Sequence, residues 1–77
     1  MKKCIKEIRK RENVIIRICT EELMGYRYVE VRQYYKEKDN EYKPSKKGFS
    51  IRLECLDELI SGLLEAKKEF SQGTEPK

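Results

Sequence analysis

The apolar pattern of this chain changes period once, between Leu53 and Glu54, and that change decides most of what it can fold into. Up to Leu53 the apolar residues follow the two-residue period of pleated strands. Beyond it they recur as Leu56, Leu59, Ile60, Leu63 and Leu64, the i, i+3, i+4, i+7, i+8 spacing of one helical stripe. Strands come first and one helix last, so an α+β fold is expected, with the helix over roughly Glu54 to Glu69. Glu54, Asp57 and Glu58 near its start and Lys67 and Lys68 near its end suit the helix dipole. Gly62 costs about 1 kcal/mol relative to alanine inside a helix. It either allows close approach of another element or is a neutral surface glycine.

Four strands are expected before the helix. Cys4 to Arg9 reads as a short strand, and Val14 to Cys19 as a β-branched one closed by Gly25, with Glu21 and Glu22 at or near its end. Tyr26 to Lys36 carries the strongest signal: Val29 and Val31 point one way, Glu30 and Arg32 the other. Lys38 to Glu41 is a turn by composition. Pro44 cannot donate to a ladder and Gly48 permits an unusual backbone, so an irregular or edge lead-in is expected before the strand Phe49 to Leu53. One domain is expected over 1–70, with 71–77 as a disordered tail.

Such a chain needs help to be stable. At 77 residues it buries roughly 60% of its unfolded surface, which leaves it marginal unless a disulfide, a metal or a second subunit contributes. With no histidine and no Cys-x-x-Cys pair, a zinc site is not expected, and no cofactor is implied. The three cysteines, Cys4, Cys19 and Cys55, are odd in number and widely spaced. They are expected to be reduced, in a cytoplasmic protein, with Cys19 and Cys55 filling the core. No signal peptide and no apolar run of membrane-spanning length is found. Oligomerisation remains as the stabiliser. One helix on one face of four strands leaves apolar surface that a second copy can cover.

Charge and rings narrow the function. Residues 1–53 carry a net charge of +7 and residues 54–77 a net of −3, so the positive field belongs to the strands. Membrane binding would put lysines around an amphipathic helix, whereas here the helix is the acidic part. Enzyme chemistry is not expected, because the acids are scattered and the glycines form no phosphate loop. Tyr26, Tyr28, Tyr34 and Tyr35 share a strand with Arg27 and Arg32, and Lys43, Lys46 and Lys47 lie on the segment that follows. Cations beside flat rings suit unpaired nucleic acid. Tyrosines as strand formers and lysines guarding a sheet edge are the plainer reading. A module that recruits an acidic transcription or replication protein is the alternative function.

The segment "VRQYY", an acidic turn, then "YKPSKKGFSIRLECLDEL" resembles the single-stranded-DNA-binding domain of the transcriptional positive cofactor four family. The likeness covers Val29 to about Leu64, with "VIIRIC" fitting the strand before it loosely. It implies a four-stranded antiparallel curved sheet with a C-terminal helix. It further implies a homodimer joined through its helices, here at Leu56, Leu59, Ile60 and Leu63, and a coactivator-like protein that binds single-stranded DNA with little sequence readout. The host and RNA as a ligand stay open; in a bacterium the protein would sit at the nucleoid. Carried over, Arg32 falls on the DNA-contacting arginine, Tyr35 on the base-stacking tryptophan, and Lys43, Lys46 and Lys47 on a phosphate-gripping loop closed by Gly48. The family's Arg-Asp-Phe-Lys-like segment at the end of the second strand is replaced here by Cys19 to Glu22. Tyr26, Tyr28 and Arg17 are candidates to substitute. Strict alternation separates Arg32 from Tyr35 unless the strand bulges, which leaves Tyr34 as the other stacking candidate.

Overall fold

Three tight turns reverse the chain, each at a residue whose backbone enters the left-handed region: Asn13 (φ 67°), Met24 with Gly25 (φ 52° and 83°), and Asn40 (φ 64°). Two successive positive φ values at Met24 and Gly25 are what a two-residue hairpin matching the strand twist requires. The computed structural model describes residues 2–71, in which these turns join β1 (Lys2–Arg11), β2 (Val14–Leu23), β3 (Tyr26–Lys36) and β4 (Tyr42–Arg52), followed by α1 (Leu53–Ser71). The strands form one open antiparallel sheet in the order β1-β2-β3-β4.

The expected elements are all present, with shifted ends. β4 begins at Tyr42 rather than Phe49 because a bulge absorbs the lysine segment and ladder pairing continues on both sides of it. Leu53 opens the helix instead of closing the strand. α1 runs to Ser71, whose hydroxyl donates to the Lys67 carbonyl oxygen at 3.0 Å; the rest of the expected tail lies outside the described residues. No helix among the described residues is long and apolar enough to cross a membrane.

The cysteines correct the expectation. Cys4 and Cys19 face each other across β1 and β2 and are joined in a disulfide. Cys19 is fully buried, while Cys55 is exposed on α1 and fills no core. Odd count and wide spacing hid the pairing, since only the strand register brings residue 4 opposite residue 19.

Cross-strand pairing sorts the side chains onto two faces. Ile15–Tyr34, Arg17–Arg32, Cys19–Glu30 and Glu21–Tyr28 are opposed pairs on one face, which Arg52, Ser50, Gly48 and Tyr42 extend along β4. The most buried side chains, Ile15, Cys19 and Tyr34, lie here under long polar neighbours. The opposite face is apolar at its centre, through Ile16, Ile18, Val29, Val31, Phe49 and Ile51. None of them is buried, and Phe49 is 47% exposed. Helix α1 touches only β3 and β4 and buries none of its own residues; Ile60, Leu63 and Leu64 stand 45%, 62% and 58% exposed. Both an apolar sheet face and an apolar helix stripe are therefore left only partly covered.

Candidate nucleic-acid interface

Ladder pairing between β3 and β4 slips once. Arg32 is opposite Gly48 and Tyr34 opposite Pro44, so Ser45, Lys46 and Lys47 all face Gln33. Pro44 lacks an N–H to donate, which makes interruption inexpensive there. Ser45 organises the bulge: its hydroxyl donates to the Gln33 carbonyl oxygen at 2.8 Å and accepts from the Lys47 N–H at 3.0 Å. Because the excess is two residues, side-chain parity is the same on both sides of the bulge, and Phe49 and Lys43 share a face. Lys46 and Lys47 project from the open edge strand, exposed and without an ion-pair partner among the described residues.

Gly48 closes the bulge for a steric reason. A Cβ there would lie 2.7 Å from the Val31 carbonyl oxygen and 2.8 Å from the Cα of Arg32, and both are backbone atoms that cannot swing away. The glycine thus permits close approach of β4 to Arg32.

Arg32 is tied down. Its Nε donates to Glu30 Oε2 at 2.7 Å and its Nη1 to the Ser45 carbonyl oxygen at 2.9 Å. Glu30 Oε1, shielded from solvent, holds the Lys2 ammonium at 2.8 Å as an ion pair outside hydrogen-bond alignment. Lys2, then Arg32, hold the Glu30 carboxyl below its usual range, and Glu30 raises Lys2. A charged chain Lys2–Glu30–Arg32 thus runs across the sheet to the bulge.

Arg17 belongs to the same face. Its guanidinium lies 4.5 Å from the centroid of Tyr34 and 5.9 Å from that of Tyr42, and its Nε donates to Glu7 Oε2 at 2.8 Å. The Lys36 ammonium approaches Tyr42 at 5.0 Å, and at the far end Arg52 lies 4.5 Å from the ring of Tyr26.

The expected site residues thus divide. Arg17, Tyr28, Arg32 and Gly48 share one face, with Tyr34 buried beneath Arg17. Tyr35 pairs with Val14 and Lys43 on the opposite face, since β3 does not bulge between Arg32 and Tyr35. Lys43 is held by Asp39 at 2.9 Å, which raises its pKa and depresses that of Asp39, so its charge is partly neutralised locally. Lys46 and Lys47 stand exposed in the bulge of the edge strand β4. The Cys19–Glu22 segment runs alongside β1, with Thr20 opposite Lys3 and Glu21 opposite Lys2. Sequence reasoning missed Tyr42, Ser45 and Glu30. Parity with Pro44 was the available signal for Tyr42; the other two needed the cross-strand register.

The family model described as Transcriptional Coactivator p15 (PC4) matches residues 16–62, well over half of the chain. The chain belongs to the PC4 family. Among solved structures, it is similar to the PC4 homolog BPSL1147 from Burkholderia pseudomallei K96243. In the orthorhombic form the TM-score is 0.80 at 39% identity, covering 87% of this chain and 90% of that one. The tetragonal form gives 0.79 at 37% identity, covering 87% and 98%. The bacteriophage T5 homolog of the eukaryotic coactivator PC4, implicated in recombination-dependent DNA replication, matches with a TM-score of 0.61 at 25% identity over 92% and 78%. Comparison with curated proteins finds no significant match. The PC4 match covers β2 from Ile16, then β3, β4 and the first half of α1, and so includes the bulge with Arg32, Ser45 and Gly48.

Proposed function

We propose that this PC4-family chain binds single-stranded nucleic acid, DNA by preference, with little sequence readout, and does so as a homodimer. The observation that carries the reading is the anchored bulge: Arg32 and Ser45 brace it from behind, and Lys46 and Lys47 stand at its rim without an ion-pair partner among the described residues. An unpaired strand needs cations for its phosphates and ring faces for its bases. At the open β4 edge the strand would meet the bulge lysines, with Arg17, Arg32 and Tyr28 on one side and Lys43 and Tyr35 on the other. Backbone neutralisation reads no sequence, so affinity should fall steeply with salt. A duplex reader would need a basic element for the major groove, and the helix here belongs to the acidic third of the chain.

Incompletely covered apolar surfaces support the dimer. Leu56, Leu59, Ile60 and Leu63 on α1, and the Ile18, Val31 and Ile51 face of the sheet, are what a second copy would cover. The test is a gel-shift comparison of oligo-dT, RNA and duplex of equal length at two salt concentrations, with the oligomer mass measured alongside. Preference for single strands, loss with salt and a mass of two chains are expected; equal or salt-insensitive binding of duplex would refute the reading.

A further inference from the structure

The face that carries Arg17 and Arg32 also carries a ring to which the family motif assigns nothing. Tyr42 opens β4 opposite Lys36, on the outer strand of the sheet, and is only half-buried. Two cations lie over it, Lys36 at 5.0 Å and Arg17 at 5.9 Å from the ring centroid. Arg17 is itself fixed, since Glu7 accepts from its Nε at 2.8 Å and Tyr34 lies 4.5 Å from its guanidinium carbon. Tyr34 offers a base no room, being 8% exposed and beneath Arg17. Tyr35 lies on the opposite face, opposite Lys43. Tyr42 thus combines a half-exposed ring with two cations over it, neither as close as Arg17 is to Tyr34.

We propose that Tyr42 is a base-stacking platform: an unpaired nucleobase stacks on its phenol ring, while the phosphates on either side of that base meet Arg17 and Lys36. This rests on the single-strand reading above and adds to it a binding residue. Aromatic stacking tolerates any base, because every base has a π-face. A guanidinium near the ring can itself stack on a base and supplies charge at once. A tyrosine has only two side-chain torsions to restrict, so little of the stacking energy is lost to ordering.

The chain has no tryptophan, so Tyr42→Trp introduces a single indole reporter. Saturating oligo-dT is expected to quench its emission by more than half. Phe70→Trp, at an exposed position on α1, serves as the reporter remote from the platform and is expected to stay unchanged. Tyr42→Ala, with its sheet checked by circular dichroism, is expected to weaken oligo-dT about tenfold, the scale of one lost base–aromatic stack. Its salt slope should stay that of the unmodified chain. An abasic oligonucleotide of the same length should bind the unmodified chain and Tyr42→Ala equally. A silent Trp at position 42, an unchanged oligo-dT affinity in Tyr42→Ala, or an equal loss for the abasic strand overturns the platform while leaving the single-strand reading in place. Failure of the unmodified chain to bind oligo-dT overturns both.

Discussion

Arg32 donates through Nη1 to the carbonyl oxygen of Ser45 at 2.9 Å, so the arginine proposed to meet the nucleic acid also braces the loop that presents the lysines. The same guanidinium is held from behind by Glu30 at 2.7 Å. Its planar fork makes both bonds at once, which a single ammonium on a flexible stem cannot do in this geometry.

Arg32→Lys keeps the charge and loses the brace. Removing a part-buried, charge-assisted bond is expected to cost about 1–3 kcal/mol in urea denaturation. Oligo-dT affinity should fall with it. Lys47→Ala should behave in the opposite way: stability within about 0.5 kcal/mol of the parent, and a salt slope lower by about one. Equal stability of the two variants would separate Arg32 from the bulge.

Gly48→Ala pushes a methyl group against the Val31 carbonyl and the Arg32 Cα, and neither can move without breaking the β3–β4 ladder. Overpacking of this kind costs about 1–3 kcal/mol. A thermal melt compared with Gly62→Ala, which meets nothing within 4 Å, checks the contrast; the second change is expected to be neutral or stabilising.

Acid should loosen the sheet through Glu30. Lys2 and Arg32 hold its carboxyl below the usual 4.5, so its contribution to stability is fully present above that value and lost as the pH falls through the lowered one. Glu30→Gln should flatten the fall in urea midpoint between neutral pH and about pH 3. Lys2, raised above 10.5 by Glu30, acts in the other direction: its contribution is full below that value and is lost as the pH rises past it.

Reduction of Cys4–Cys19 should release a cross-link that spans 15 residues of sequence. Loss of such a link typically costs about 2–4 kcal/mol. The melting temperature should drop on adding a thiol reductant to the parent and stay constant in Cys4→Ser, which starts at the lower value.

Substituting Ile60 or Leu63 on α1 with glutamate should yield monomers by sedimentation and a loss of cooperative unfolding. A charge placed on the aliphatic stripe cannot be buried against a second copy without a large desolvation cost. An unchanged mass would remove the stripe from the interface.

Several features were legible without a fold, because they are local. Alternation in Tyr26 to Lys36 fixed which side chains of β3 share a face, including the separation of Arg32 from Tyr35, and the stripe from Leu56 to Leu64 located α1. Pro44 and Gly48 marked an interruption of pairing, and the lysines between them marked it as positive. Register is a relation between strands, set by turn lengths and bulges, and no single strand carries it. The tertiary structure alone therefore put Cys4 opposite Cys19 and anchored Arg32 on Ser45. It also brought Tyr42, which neighbours neither residue in sequence, to Arg17 and Lys36.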